Sequence, residues 1–189
     1  MNLLIRLLRV IIHALFRPPI TFFQESVVHF RVLPNDLDWN MHMTNSRYLS
    51  IMDLGRVDFL VRTGLGKLLL KNKRQAVLGA ANIRFRRALK PLQEYSIHTR
   101  IIGVDEKWSY IEHRFESKCE LIAYAIVKGI FINRQGSVPI PQILQELGQP
   151  TKLPELSETL QLWSKMDDTI KQNFGPKRDK PKRASAPKD

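Results

Sequence analysis

Cysteine is almost missing from this chain of 189 residues, where Cys119 stands alone. A single thiol excludes an internal disulfide and any cysteine-based metal cluster, and it suits a reducing compartment. Acidic residues are also short, 18 against 30 lysines and arginines, which leaves a formal charge of +12. That excess fits one of three partners: nucleic acid, an anionic membrane surface, or a substrate bearing acid or phosphate groups. The β-rich segments lack the interleaved aromatic and basic side chains on which bases stack, so nucleic acid ranks last. His29, His98 and His113 fall on separate strands without ligand spacing, so no metal is expected. A membrane-spanning run of about 20 apolar residues is lacking too. The most apolar stretch, Leu3 to Phe16, is broken by Arg6, Arg9 and His13.

What remains is a globular composition, 43% hydrophobic and 25% charged, and a length that suits one domain with appendages. Four segments are expected: an N-terminal helix over 1–21, a strand-rich domain over 22–135, a helical extension over 136–174, and a basic, disordered tail over 175–189. In the first segment Arg6, Arg9, His13 and Arg17 share an arc of roughly 80° on a helix, and Pro18-Pro19 stop it. The charges are interleaved with the apolar residues rather than preceding them as in a signal peptide. Residues 1–17 lie peripherally on anionic lipid, or pack on their own domain or a dimer partner, with a spanning or cleaved segment as the remaining alternative.

Val27 to Leu33 alternates and reads as a strand ending at Pro34. A helix begins near Thr44 or Asn45, either of which can serve as its N-cap, and ends at Gly64 as the C′ residue. Its apolar front is wide, and Gly55 within it points to close approach of a strand. Four alternating runs follow at 75–89, 95–104, 108–116 and 121–133, joined by short turns, so their neighbours are antiparallel. The last is apolar on both faces except at Lys128 and reads as a central strand. Pro139–Leu147 can form a short helix, and Leu153–Ile170 is weakly amphipathic. The fold class is α+β, one long helix on one antiparallel sheet, and a single such layer leaves surface for a second copy.

Between the first strand and the helix lies the stretch that carries chemistry, Asp36-Leu-Asp38-Trp-Asn-Met-His42-Met-Thr44-Asn45. It sets two carboxylates, an imidazole and the free N–H groups of a helix N-terminus together. A carboxylate there can act as nucleophile or general base, and the N–H groups can stabilise the oxyanion formed on a carbonyl. Asp36 can equally shape an Asx turn after Pro34.

The pattern Asp36-x-Asp38-x-Asn40-x-His42-x-x-Asn45-x-x-Tyr48, with Asp53 and Arg56 beyond, resembles the signature of the hotdog-fold acyl thioesterases. These include the 4-hydroxybenzoyl-CoA type, the plant acyl-carrier-protein type and the thioesterase superfamily member 6-like proteins. The resemblance covers roughly residues 25–135. It implies a curved sheet of about five strands wrapped around the long helix, a homodimer or tetramer, and a site at the subunit interface beside the helix N-terminus. It implies hydrolysis of an acyl-CoA or acyl-carrier thioester, cytoplasmic and without a cofactor other than the coenzyme A of the substrate. The alternative is a non-catalytic acyl-CoA or lipid-binding protein of the same fold. On this reading Asp38, His42 and Asn45 are candidate catalytic residues. Asp36, Thr44, Tyr48, Arg84 and Arg86 are candidates for substrate binding, the arginines for the phosphates of coenzyme A. Tyr48 also fits the core, Asp36 the loop, and the arginines an exposed strand face. Asp53 and Arg56, three residues apart, suit a structural pair. Many members have Gly before the His and two Asn after it; here Met41 and Thr44 stand instead, which leaves the oxyanion geometry open.

Overall fold

The structure is a computed structural model that describes residues 3–151 and 155–174. The tail expected over 175–189 lies outside the described residues. The elements in chain order begin with α1 (Leu3–Phe16), β1 (Ser26–Arg31), a 3-10 turn (Pro34–Asp36), α2 (Asn45–Arg62) and α3 (Leu65–Lys71). They continue with β2 (Gln75–Phe85), β3 (Glu94–Val104), β4 (Trp108–Ser117), β5 (Glu120–Asn133), β6 (Gly136–Val138), α4 (Ile140–Glu146) and α5 (Glu158–Phe174). All strand pairings are antiparallel. The sheet order is β1-β3-β4-β5-β2, with β6 beside β5. β5 is thus interior, as its apolar faces required, and β1 and β2 are the edges of the main sheet.

α2 buries Tyr48, Ile51, Met52, Leu54 and Phe59 against the sheet. Each such side chain contributes about 1.5–3 kcal/mol, which outweighs the local preferences of a helix containing Gly55. Gly55 rides directly on β3: a Cβ there would come 2.6 Å from Thr99 Oγ1 and 3.2 Å from Ile97 Cδ1. The N-terminal half of α2 joins Phe115, Ala123, Ala125 and Val127 in one core cluster. Phe59, at its C-terminal end, joins Phe22, Leu65, Phe131 and the α4 residues Ile140, Ile143 and Leu144 in a second.

Several expectations needed correction. The first strand stops at Arg31, because Pro34 opens the 3-10 turn rather than bounding a longer strand. Gly64 does adopt the left-handed conformation (φ 75°), yet the chain turns there into α3, whose Leu65 and Leu69 are buried. β2 ends at Phe85. Beyond it, Arg86 and Arg87 both donate backbone N–H to Ile122 O, and Leu89 drops into the core. β2 also shifts register between Leu78 and Ala80, so strict alternation fails along it. The described residues divide into two units, one reaching to Glu155 and including α1 and α4, the other beginning at Leu156 and holding α5.

The basic stripe of α1 turns partly inward. Arg6, Val10 and Ala14 are its buried residues. Arg6 donates to both oxygens of Asp36 (3.1 and 2.5 Å), and Arg17, just past the helix, donates to Val27 O at 2.7 Å and lies 3.5 Å from Asp58. The outward face is apolar instead, exposing Leu4, Ile5, Leu8, Ile12, Leu15 and Phe16. Among the described residues no helix is long and apolar enough to cross a membrane.

Candidate active site

The loop between the 3-10 turn and α2 is a small hairpin. Leu37 bridges Met43, Asp38 N donates to His42 O at 2.8 Å, and Thr44 N donates to Asp36 O at 2.9 Å. At its base Asp36 is fully buried. Its carboxylate accepts from Arg6 and from Leu33 N (2.9 Å) and sits 3.0 Å from Arg47 Nε. The base is thereby tied to α1 and α2 at once. At its tip Asp38 is exposed, and its Oδ1 accepts the N–H groups of Asn40 (2.9 Å) and His42 (3.1 Å). Those bonds fix the carboxylate while Oδ2 makes no hydrogen bond among the described residues.

Met41 makes the turn of this hairpin at φ 57°. That conformation disfavours a side chain bearing a Cβ, which gives the glycine usual at this position in the resembled family a physical reason. Thr44 is the N-cap of α2 by position, but its side chain makes no cap hydrogen bond; its hydroxyl lies 3.1 Å from Ser46 Oγ. The first-turn N–H groups are therefore not closed by a side-chain cap, and they carry the positive end of the helix dipole.

A cavity of about 290 Å³ opens at this point. Its lining brings together Asp38, His42, Asn45, Tyr48, Arg86 and Arg87. A carboxylate with a free oxygen, an amide, the N-terminal end of α2 and two guanidinium-bearing residues can bind an anionic carrier and stabilise charge developing on a carbonyl oxygen.

A model of the thioesterase-like superfamily matches residues 32–163. The chain belongs to that superfamily. It is 36% identical over 163 residues to protein THEM6 of Danio rerio, which covers 84% of this chain and 79% of that one. It is 29% identical over 158 residues to the thioesterase lcsJ of Purpureocillium lilacinum, covering 70% of this chain and 51% of that one. Among solved structures a gentisyl-coenzyme A thioesterase, 26% identical, matches with a TM-score of 0.58 over 65% of this chain and 98% of that one. The fold is accordingly the hotdog, and the chain is a hydrolase of acyl thioesters.

Around this cavity the candidates separate. Asp38, His42, Asn45, Tyr48 and Arg86 line the cavity, whereas Asp36, Thr44 and Arg84 do not. Asp36 is fully buried and occupied by Arg6 and Arg47. Tyr48 is nearly all core, with its ring against Phe85 and Phe115 (centroids 5.1 and 4.9 Å), and burial pushes its hydroxyl pKa up. Arg87 is shared with Glu120 (2.6 Å).

Two features were not read from the sequence. One is a chain of polar contacts behind α2. Asp53 pairs with Arg56, whose Nη1 lies 3.0 Å from His113 Nε2, while His113 Nδ1 lies 3.0 Å from Thr99 Oγ1. Arginine can only donate, so Nε2 accepts and Nδ1–H points to Thr99. Burial, then the Arg56 charge, hold the His113 pKa well below its ordinary value, so the ring is neutral. The pairing of Asp53 with Arg56 was legible from their spacing; the buried histidine behind it was not. The other feature is a second cavity of about 470 Å³ between α2 and the sheet, lined by Val57, Phe59, Leu60, Ile101, Ile111 and Phe131 among others, with Asp53 and Arg56 also on its wall. Its residues come from six separate elements, α2, α3 and β2 to β5, and no local pattern announces it. Among the described residues no cluster of His, Cys, Asp and Glu suited to a metal occurs.

Proposed function

We propose that the substrate is an acyl-coenzyme A and that Asp38 performs the chemistry. Asp38 Oδ2 takes a proton from water as the water oxygen attacks the thioester carbonyl. The Asn45 amide and the first-turn N–H groups of α2 hold the oxyanion. The C–S bond then breaks, and a thiolate leaves without needing a strong general acid. His42 orients the carbonyl, and Arg86 and Arg87 meet the phosphates of coenzyme A. No metal or further cofactor takes part. The acyl chain extends along α2 toward the 470 Å³ cavity, whose apolar side chains suit it.

The observation that carries this reading is the hairpin tip, which presents a fixed carboxylate with one free oxygen beside an uncapped helix N-terminus. Purified protein should release thiol from a panel of acyl-CoA substrates, and Asp38→Asn should lower release by about 10²–10⁴-fold. Turnover by that variant at the wild-type rate would remove Asp38 from the mechanism. Activity on acyl-carrier protein but not on acyl-CoA would reassign the carrier.

The protein works as a homo-oligomer, through β2. This edge strand of 11 residues is open and exposes Val77, Leu78 and Phe85; pairing with the same strand of a second copy would satisfy its backbone and shield these side chains. It also attaches peripherally to a membrane through the apolar outer face of α1. Flotation with vesicles, lost in a Leu8→Glu/Ile12→Glu variant, tests that attachment.

A further inference from the structure

The edge of the sheet opposite β2 is not bare. Arg17 donates to Val27 O at 2.7 Å and Arg6 approaches Arg31 O at 3.5 Å, so two arginines belonging to the α1 segment cover both ends of β1. On an antiparallel edge, the N–H and C=O of every second residue point the same way. His29, midway between Val27 and Arg31, therefore turns its backbone groups toward the same groove, and neither arginine reaches them.

A cavity of about 310 Å³ lies there between α1 and β1, lined by Arg9, His13, Arg17 and His29 together with Val10 and Val28. It adjoins a wider hollow of about 660 Å³ that shares Arg9 and His29 and adds Arg31 and Lys118. The carboxylates bordering the two are already engaged. Asp58 is held by Ser26, Arg17 and Arg62, Glu94 by Arg31, and Glu116 by Arg114 and His98. Arg9 and His13 are exposed and make no hydrogen bond or ion pair among the described residues. The groove is thus cationic, with donors left over.

Helical spacing locates these donors relative to the apolar face. At 100° per residue, Ile5 and Phe16 precede Arg9 by roughly 20–40°, and His13 follows it by about 40°. Arg9 and His13 stand on the border between the exposed apolar arc and the face that meets the protein. A site for a free anion has no use for an apolar border, whereas a lipid places its phosphate where its hydrocarbon ends.

We infer that this groove binds the phosphate of an anionic phospholipid headgroup, with Arg9 and His13 of α1 and His29 of β1 as its donors. The inference rests on the peripheral attachment proposed above and adds to it a headgroup class and a site. Arg9 supplies the forked donors that match phosphate oxygens, and the apolar arc of α1 enters the lipid beside it.

Flotation of the full-length protein tests this on vesicles of phosphatidylcholine alone and of phosphatidylcholine mixed with phosphatidylglycerol. Wild-type protein should prefer the mixed vesicles about tenfold. Arg9→Gln/His13→Gln should bind both vesicles equally, while Lys67→Gln/Lys71→Gln, which removes two exposed lysines elsewhere, should keep the preference. Leu8→Glu/Ile12→Glu should bind neither. An unchanged preference in Arg9→Gln/His13→Gln, or an equal loss in the lysine control, overturns the site and leaves the attachment standing. Wild-type protein that floats with neither vesicle overturns the attachment and the lipid occupant together. In that case a titration with inorganic phosphate, followed by the imidazole NMR signals of His13 and His29, shows whether a soluble anion is the occupant.

Discussion

Asp36 and Asp38 stand two residues apart on one hairpin and have nothing else in common. Asp36 is wholly buried between Arg6 and Arg47 and ties two helices to the base of the loop. Asp38 is exposed at the tip and, among the described residues, accepts only backbone N–H groups from its own turn. One carboxylate is spent on position, the other is left available for reaction. The burial of the first is what keeps the second in place, because the loop cannot swing while its base is pinned through α1 and α2. Residue type and spacing are the same for both; tertiary partners divide the labour.

Substitutions at the two positions should therefore separate activity from stability. Asp38→Asn keeps an oxygen that can accept the N–H groups of Asn40 and His42 but removes the base. Thiol release should fall by about 10²–10⁴-fold, with the urea midpoint unchanged. Asp36→Ala leaves two buried or half-buried guanidinium groups without their anion and should destabilise the fold by about 3–5 kcal/mol in urea denaturation. The protein that remains folded should turn over more slowly than wild type, because the base of the loop that holds Asp38 is no longer pinned. A large midpoint loss in Asp38→Asn, or none in Asp36→Ala, would break the distinction.

His113 sharpens the same contrast between buried and exposed groups. Its folded pKa lies well below the value of about 6.5 that it takes in the unfolded chain. Below that value the unfolded chain binds a proton that the folded chain does not, so the stability due to the neutral ring is present above it and lost as the pH falls. The slope is about 1.4 kcal/mol per pH unit, down to the folded pKa. Urea curves at pH about 7.5 and about 5.5 should differ accordingly, and His113→Gln should remove most of that difference. The smallest effect belongs to the tip itself. Met41→Gly relieves the left-handed conformation of an exposed residue and should raise stability by about 0.5–1 kcal/mol, net of the added freedom of the unfolded chain. It should leave the Asp38 chemistry intact, read as an unchanged rate of thiol release.

Much of this molecule was legible along the chain. The long strands, the central position of β5, the helix beginning near Thr44 or Asn45 and the close contact beneath Gly55 all follow from alternation, capping and glycine placement, which act over a few residues. The short α3 was hidden because Gly64 ends α2 and starts the next helix with the same conformation. The register shift at Leu78/Ala80 depends on the neighbouring strand β5. The stripe on α1 was visible as a stripe, but its direction was not. Arg6 points inward only because Asp36, thirty residues on, is buried there to receive it, and the apolar arc is exposed as a result.

The division at the site follows the same physical line. Local pattern determined that a polar hairpin with two carboxylates, His42 and Asn45 opens onto the N-terminus of a long helix within an α+β sheet. That much depends on backbone preferences and periodicity. Which carboxylate is free, which arginines reach the cavity, where the apolar cavity lies and what lies behind α1 were decided by contacts between residues far apart in the chain. Desolvation and ion pairing act through space, and only the folded chain specifies those distances.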